Sequence, residues 1–356
     1  MPHTPDPAPR SNPIVLWWHE LASRHKVRGA QHRLHQRAVQ LACERVISRT
    51  NPALRGLPGY RRRLLPVAER ILAHGEALLG AIPGPTTLDP GAWAADPLVN
   101  ALFADTTRLR QVVSGRAVQR WLRDHPGFNG DLYGLLLAMP QERQQLGIEL
   151  IGDRVQRDVK QTTLSFSETE IVAVAPDMPG LRAALVQPLA DLFVTIAKER
   201  IDAREARIQS LEEALAMLRA KQRALLSPKV GNARLARGGG SLDLGDQQRL
   251  EEGIEATTRD LADARRGLAN IHDYLTIVIA ELEHPERELQ LQTMDLWIDR
   301  MNLIRDRRCE GARDIRLVRA HRPSRPGRVA QYVRFPRSLV EDIDERLANI
   351  QRQIGG

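Results

Sequence analysis

The stretch from Ile201 to Leu225, IDAREARIQSLEEALAMLRAKQRAL, decides the fold that we predict for this chain. Apolar residues recur there at alternating spacings of three and four, and the same repeat runs from Leu250 to Leu282. A stripe with this average period of about 3.5 residues makes two helices wrap around each other and bury it. Two helices of similar length that share one connection run antiparallel. The sequence therefore predicts an antiparallel coiled-coil hairpin over residues 188–284.

The two halves of this predicted hairpin also match end to end. Both become apolar on most faces near Pro188 and Pro285, and both are polar beyond the stripe at the other end. We therefore expect the proline end to be rooted in a globular body and the far end to protrude. The connection at the far end, residues 228–245, is rich in glycine and is either a plain connector or a basic contact loop. Its basic residues are Lys229, Arg234 and Arg237.

Segments rich in β-branched residues flank the predicted hairpin in the sequence. Residues 162–167 and 170–175 predict a β-hairpin, and residues 314–321 and 328–335 predict another. Residues 288–300 also have an extended pattern, so we expect a single sheet built from 162–175 and 288–335. Helical patterns fill much of the remaining chain, at residues 13–48, 61–79, 105–123, 132–139 and 141–156, and in a last helix capped by Ser338.

These elements predict a mainly α fold with a small antiparallel β-sheet, in which a helical body carries a long protruding coiled-coil hairpin. Residues 1–12 form a disordered tail, and residues 13–187 form the helical body with a β-hairpin near 162–175. The coiled-coil hairpin follows at 188–284 with its glycine-rich tip at 228–245. Residues 285–356 then complete the body with a β-rich segment and a C-terminal helix.

Composition excludes several classes of protein. The chain has two cysteines, Cys43 and Cys309, without metal-type spacing, which excludes a disulfide framework and fits a reducing compartment. No stretch approaches the about 20 apolar residues of a membrane span. We therefore expect a soluble cytoplasmic protein without a membrane span.

The net charge of +8 is distributed unevenly along the chain. Residues 1–75 contain thirteen basic and four acidic residues, and residues 300–337 contain twelve basic and three acidic residues. The region between them is acidic. Two basic regions indicate a polyanion or an acidic protein surface as partner. Lysine occurs at five positions, so nearly all of the positive charge is arginine, a bias that a GC-rich genome also produces.

No set of residues predicts a catalytic, cofactor or metal site. His32 and His35 share a helix face but lack carboxylate or thiolate partners at ligand spacing, so they are more simply solvated. Glu149 and Asp153 lie four residues apart on a predicted helix and are more simply surface charges than an acid–base pair. We identify no small-molecule substrate, and an enzyme is the less favoured interpretation.

The basic segments are the better functional lead, because arginine beside aromatic rings can hold a nucleic-acid strand. The alternative interpretation is that these arginines form the solvated face of an amphipathic strand or pair with the acidic arm, residues 188–284, of the same or another subunit. The candidate polyanion-binding residues are Arg61, Arg62, Arg63, Arg316, Arg322, Arg325, Arg328, Arg334 and Arg337.

Two functions follow from these observations. The first is a non-catalytic cytoplasmic scaffold or adaptor of a larger assembly, which uses the predicted hairpin to bind a protein partner or to form a homo-oligomer. The alternative is a nucleic-acid-binding protein that uses the arginine-rich N- and C-terminal regions.

Overall fold

The computed structural model describes residues 35–151, 154–226, 244–266, 268, 270–306, 309, 311–323 and 325–341. Several predictions fall outside these residues: the disordered tail, most of the predicted connection at 228–245 and the C-terminal helix beyond residue 341. Its predicted start at Ser338 is wrong, because Arg337–Leu339 is a short 3-10 helix that ends at an extended Val340. The first predicted helix is described from residue 35 onward.

Nine helices and seven strands are assigned within the described residues. The helices are α1 (35–50), α2 (Tyr60–Ala81), α3 (Pro90–Ala95), α4 (Pro97–Leu102), α5 (Thr106–Val113), α6 (Arg116–Asp124), α7 (Met178–Leu226), α8 (Leu244–Arg265) and α9 (Ile271–Leu282). The strands are β1 (Thr86–Thr87), β2 (Asp131–Ile151), β3 (Arg154–Ala175), β4 (Gln290–Ile298), β5 (Ile304–Arg305), β6 (Arg313–Arg322) and β7 (Arg325–Pro336).

The seven strands form a single sheet whose two ends nearly meet. Its order is β3-β2-β7-β6-β4-β5, with antiparallel neighbours throughout, and β1 adds to β7 in parallel. The amide of Leu164 in β3 donates to the carbonyl of Asn302, beside β5, at 2.8 Å. Thr163 and Leu303 form a bridge at the same place. The sheet therefore curls into a nearly closed barrel, and the predicted small sheet is wrong.

The strands β2 and β3 replace three predicted elements. Residues 132–139 and 141–156, which we predicted as helices, belong to the hairpin of β2 and β3. The turn predicted within 162–175 is also wrong, because β3 runs on as one strand through Glu168, whose φ of 49° marks a local irregularity. The predicted hairpin of residues 314–321 and 328–335 is confirmed as β6 and β7.

The predicted coiled-coil hairpin is wrong. Its first half is one continuous helix, α7, of 49 residues. Its second half is broken, because α8 ends at Arg265 and the side chain of Asn270 caps a separate helix, α9. Leu268 and Ile271 keep the apolar spacing across this break, so the repeat alone did not reveal it. The short helix α9 packs against both α7 and α2 in the helical core.

Buried apolar side chains form three clusters. One joins the inner half of α7 to α1, α2 and α9 through residues such as Phe193, Ile201 and Val278. A second packs the barrel strands against α4, α5 and α6. A third lies where the sheet meets α2 and α7, and it includes Leu135 and Tyr332.

Ion pairs reinforce the attachment of α7. The buried carboxylate of Asp191 in α7 binds Arg45 and Arg49 of α1, and the second of these contacts is 3.0 Å long. Farther along α7, Arg200 binds Glu288 at 2.8 Å and Glu281 at 3.2 Å, and Arg204 binds Glu281 at 2.8 Å. Arginine and carboxylate thus connect α7 to α1 on one side and to α9 and the turn that follows it on the other.

Candidate functional site

The N-terminal arginines that we predicted to bind polyanions are partly engaged within the chain. Arg61 binds Glu44 of α1 at 2.8 Å, and this hydrogen bond holds the pKa of Glu44 below its usual range. Arg63 donates to the hydroxyl of Thr276 at 2.8 Å. Arg62 is exposed. The three arginines therefore do not form one free cluster.

The arginines of the β6–β7 region are engaged more completely. Their partners are carboxylates or carbonyls from several elements: Arg316 with Asp295, Arg322 and Arg325 with Glu199, Arg328 with Glu168 and Glu170, Arg334 with Asp131, and Arg337 with the carbonyl of Val340. The alternative interpretation was pairing with the acidic arm, and Glu199, the partner of Arg322 and Arg325, is the only one of these carboxylates that lies in residues 188–284. The other carboxylates lie in β2, β3 and β4, so these arginines are paired within the chain but mostly not with that segment. The predicted tip residues Lys229, Arg234 and Arg237 lie outside the described residues.

A different set of arginines, which the sequence reasoning missed, lies on α5 and α6. Arg116, Arg120 and Arg123 occupy positions i, i+4 and i+7 of α6, so they share one face of the helix. All three are exposed, and within the described part of the chain none has a carboxylate partner. The signal that could have identified them is this helical spacing, which is already present within the predicted helix 105–123.

The break between α5 and α6 places Arg108 of α5 beside Arg116 and Arg120 of α6 along one groove. Ser114 and Gly115 separate the two helices, and the side chain of Ser114 accepts a hydrogen bond from the amide of Glu341 at 2.8 Å. A groove of about 370 Å³ lies between the two helices and the edge of β3. Its helix wall includes Arg108, Arg116 and Arg120. The groove is open to solvent and lined by arginines, so it suits the binding of an anionic ligand better than a reaction that needs water to be excluded.

Aromatic rings lie at the C-terminal end of α6. The ring of His125 stacks on Trp121 with the centroids 4.0 Å apart and 10° between the planes. Phe128 meets Trp121 edge to face at 5.1 Å. Trp121 also packs against the cluster beneath the sheet, which fixes its position, whereas His125 is exposed.

A second groove, of about 390 Å³, lies between α1 and α2. Leu41 and Leu65 line it and are both exposed, and Arg37 and Arg61 lie at its rim. Cys43 is in its floor but is buried, and this burial raises the pKa of the thiol to about 11. The thiol is therefore protonated at neutral pH and is suited to packing rather than to nucleophilic chemistry.

The two cysteines should differ sharply in reactivity. Cys309 is exposed and Cys43 is buried, so we expect one thiol per folded chain to react rapidly with Ellman's reagent at pH 8. The second should react at least about 100-fold more slowly, and both should react in denaturant. In Cys309→Ser the rapid phase should disappear, whereas a rapid phase that persisted would contradict the burial of Cys43.

Within the described residues, no group of three or more His, Cys, Asp or Glu side chains is arranged to hold a metal ion. His35 lies near Glu69 at 3.7 Å, and His32 falls outside the described residues. Glu149 lies in β2 rather than on a helix, and Asp153 is outside the described residues, so the helical pair that we considered does not exist.

An 18-residue window of α7 has a mean hydropathy of 1.3 and is apolar enough to cross a membrane by length and composition. Of that window, 44 % is buried inside the protein. The core helix of a globular protein meets the same criterion, so this is weak evidence for a span, and the cytoplasmic localisation stays a prediction.

Comparisons of the chain with protein-family models, with curated proteins and with solved structures find no match.

Proposed function

We propose that this protein is a non-catalytic scaffold or adaptor that binds a protein partner through the outer half of α7, from Glu205 to Leu225. The observation that carries the proposal is the contrast between the two halves of this one helix. A long helix that is fixed at one end and solvated at the other presents a rigid surface away from the body.

The inner half of α7 is fixed firmly. Phe193, Val194, Ala197 and Ile201 are buried against the helical core. Asp191, Glu281 and Glu288, which are largely shielded from solvent, are each bound by arginine. These ion pairs join the inner half of α7 to α1, to α9 and to the segment after α9, so they support an anchoring role for this half.

The outer half of α7 is exposed on every side except the one that faces α8. There Leu215 and Leu261 are buried between the two helices, and Arg265 binds Glu212 at 2.5 Å. The remaining surface carries charges of both signs and the exposed Met217. At about 1.5 Å per residue this half is roughly 30 Å long, which is enough for a helix-sized contact with another protein.

The test is site-specific photocrosslinking in native lysate. A photoreactive phenylalanine replaces Met217 in the outer half of α7, and in the control it replaces Met301, which is also an exposed methionine but lies between β4 and β5. We expect a discrete adduct at Met217 that survives nuclease treatment, and none at Met301. An adduct of twice the chain mass would identify a second copy as the partner, and adducts at neither or equally at both positions would contradict the proposal.

The alternative function, nucleic-acid binding through Arg61–Arg63 and the β6–β7 arginines, has weaker support. Most of these arginines are bound by carboxylates of the same chain, as for Arg316 with Asp295 at 2.7 Å. An arginine in an ion pair has to give up that partner, or share it, before it can neutralise a phosphate.

A further inference from the structure

The basic groove beside α6 differs from the other arginine clusters because its charge is not compensated. Within the described residues, the guanidinium of Arg108 contacts only the side-chain amide oxygen of Gln111, at 3.4 Å, and Arg116 and Arg120 have no carboxylate partner. Glu170 is the one acidic residue in the groove wall, and Arg328 binds its carboxylate at 3.0 Å. The groove therefore has a net positive charge available to a ligand.

The opposite wall supports an extended ligand. It consists of Thr169–Val172 of β3, the first strand in the sheet order, which has β2 as its neighbour on one side. A groove that runs between a helix face and a strand edge is elongated rather than closed. Arg123 extends the positive face of α6 by another turn beyond Arg120.

The rings at the end of α6 add a flat surface to this charge. His125 is exposed and is held in place by stacking on Trp121 and by a hydrogen bond of 2.9 Å with the carbonyl of Trp121. It lies at the C-terminal end of α6, on a different side of the helix from the arginines, so a ligand that follows the arginine face has to turn at the helix end to reach it.

We propose that this groove and the adjoining face of α6 bind single-stranded nucleic acid. Guanidinium groups match phosphate oxygens in geometry and charge, and an exposed, fixed ring offers a stacking surface for an unpaired base. An acidic protein segment would use the arginines but would have no base to place on His125. A duplex keeps its bases stacked inside the helix, so it would not use this ring either.

Fluorescence anisotropy with a labelled 20-nucleotide single strand, as DNA and as RNA, tests the site on the full chain. Four phosphate contacts, to Arg108, Arg116, Arg120 and Arg123, predict a slope of log affinity against log salt of about −2.8, since each contact to a single strand contributes about 0.7. The affinity should then fall about 50-fold between 50 and 200 mM salt. In Arg116→Gln/Arg120→Gln the slope should be about −1.4, and the fall about sevenfold.

The matched control is Arg316→Gln/Arg334→Gln, which removes the same charge from arginines that are exposed and bound by Asp295 and Asp131. We expect this control to keep the slope of the unmodified protein. His125→Ala should weaken binding of the single strand by about tenfold, in line with the value of one stacked base. It should leave binding of heparin, an anion without bases, within about twofold.

Three results would overturn the proposal. The first is no binding of either single strand at 50 mM salt, and the second is an equal loss of slope in the control pair. The third is an unchanged affinity in His125→Ala together with equally tight binding of heparin, which would show a general electrostatic attraction to the basic chain. Arg108, Arg116, Arg120 and Arg123 lie outside α7, so this proposal and the photocrosslinking result can fail separately.

Discussion

Replacing Tyr332 by alanine is expected to lower the free energy of unfolding by about 4 kcal/mol, the range measured when a large buried aromatic side chain is removed. Tyr332 lies in β7 with 0 % of its surface exposed, in the cluster that joins the sheet to α2 and α7. The guanidinium of Arg182 lies 5.6 Å from the centre of its ring. Urea unfolding followed by circular dichroism measures the loss.

The matched variant Tyr332→Phe separates packing from hydrogen bonding. The hydroxyl of Tyr332 donates to the carbonyl of Leu79 at 2.9 Å, in the last turn of α2, where a helix carbonyl has no partner within the helix. Phenylalanine keeps the ring and leaves this buried carbonyl unpaired, which should cost about 1–2 kcal/mol. Equal losses in the two variants would show that the ring contributes nothing to joining the sheet and helices.

Phe193→Ala is expected to cost about 3–4 kcal/mol, because it leaves a cavity where the inner half of α7 meets the helical core. Phe193 is 1 % exposed, and its ring lies 5.6 Å from that of His74 in α2. The matched variant in the same helix is Met217→Ala, where the side chain is 62 % exposed and the cost should stay below about 0.5 kcal/mol.

Thermal and urea unfolding of both variants measure this contrast. If Met217→Ala destabilised the protein as much as Phe193→Ala, the outer half of α7 would be packed against something in the isolated chain. The proposed role of that half as a free contact surface would then be wrong.

The contrast between β2 and the β6–β7 hairpin shows what local sequence can predict. The β6–β7 hairpin was predicted from the β-branched and aromatic residues on both sides of the turn residues HRPSRPG. In β2, the neighbours Leu135 and Leu136 are both buried, the first toward α2 and α7 and the second toward α4, α5 and α6. A strand that is buried on both faces has a continuous apolar run, which periodicity cannot distinguish from a helix.

The length of α7 and the end of α8 show a second limit. The apolar stripe predicted helix correctly on both sides of residues 266–270, but it did not predict the break between them. The break depends on a cap, in which the side chain of Asn270 accepts from the amide of Asp273 at 2.9 Å. The same residues could also continue one helix through this point. The packing of α9 in the helical core favours the capped, broken arrangement.

The basic groove beside α6 could not be predicted from local sequence, because the ion pairs that occupy the other arginines join residues that are distant along the chain. Arg325 and Glu199, which lie 3.3 Å apart, are far separated along the chain, so no local pattern shows that this arginine is engaged. The same is true of Arg334 and Asp131. The sequence shows where arginines are numerous. Only the fold shows which arginines pair with a carboxylate and which, such as Arg116 and Arg120, do not.

The strand order of the barrel has a consequence for how the chain folds during synthesis. The hairpin of β2 and β3 is local and can form early, but the other edge of β2 pairs with β7, where Leu132 lies opposite Phe335. Until the ribosome has released β7, the backbone hydrogen-bonding groups of that edge have no native partner strand. Closure of the barrel is therefore a late, long-range event, and nascent chains that stop before β7 are the species in which edge-to-edge aggregation and chaperone binding should concentrate.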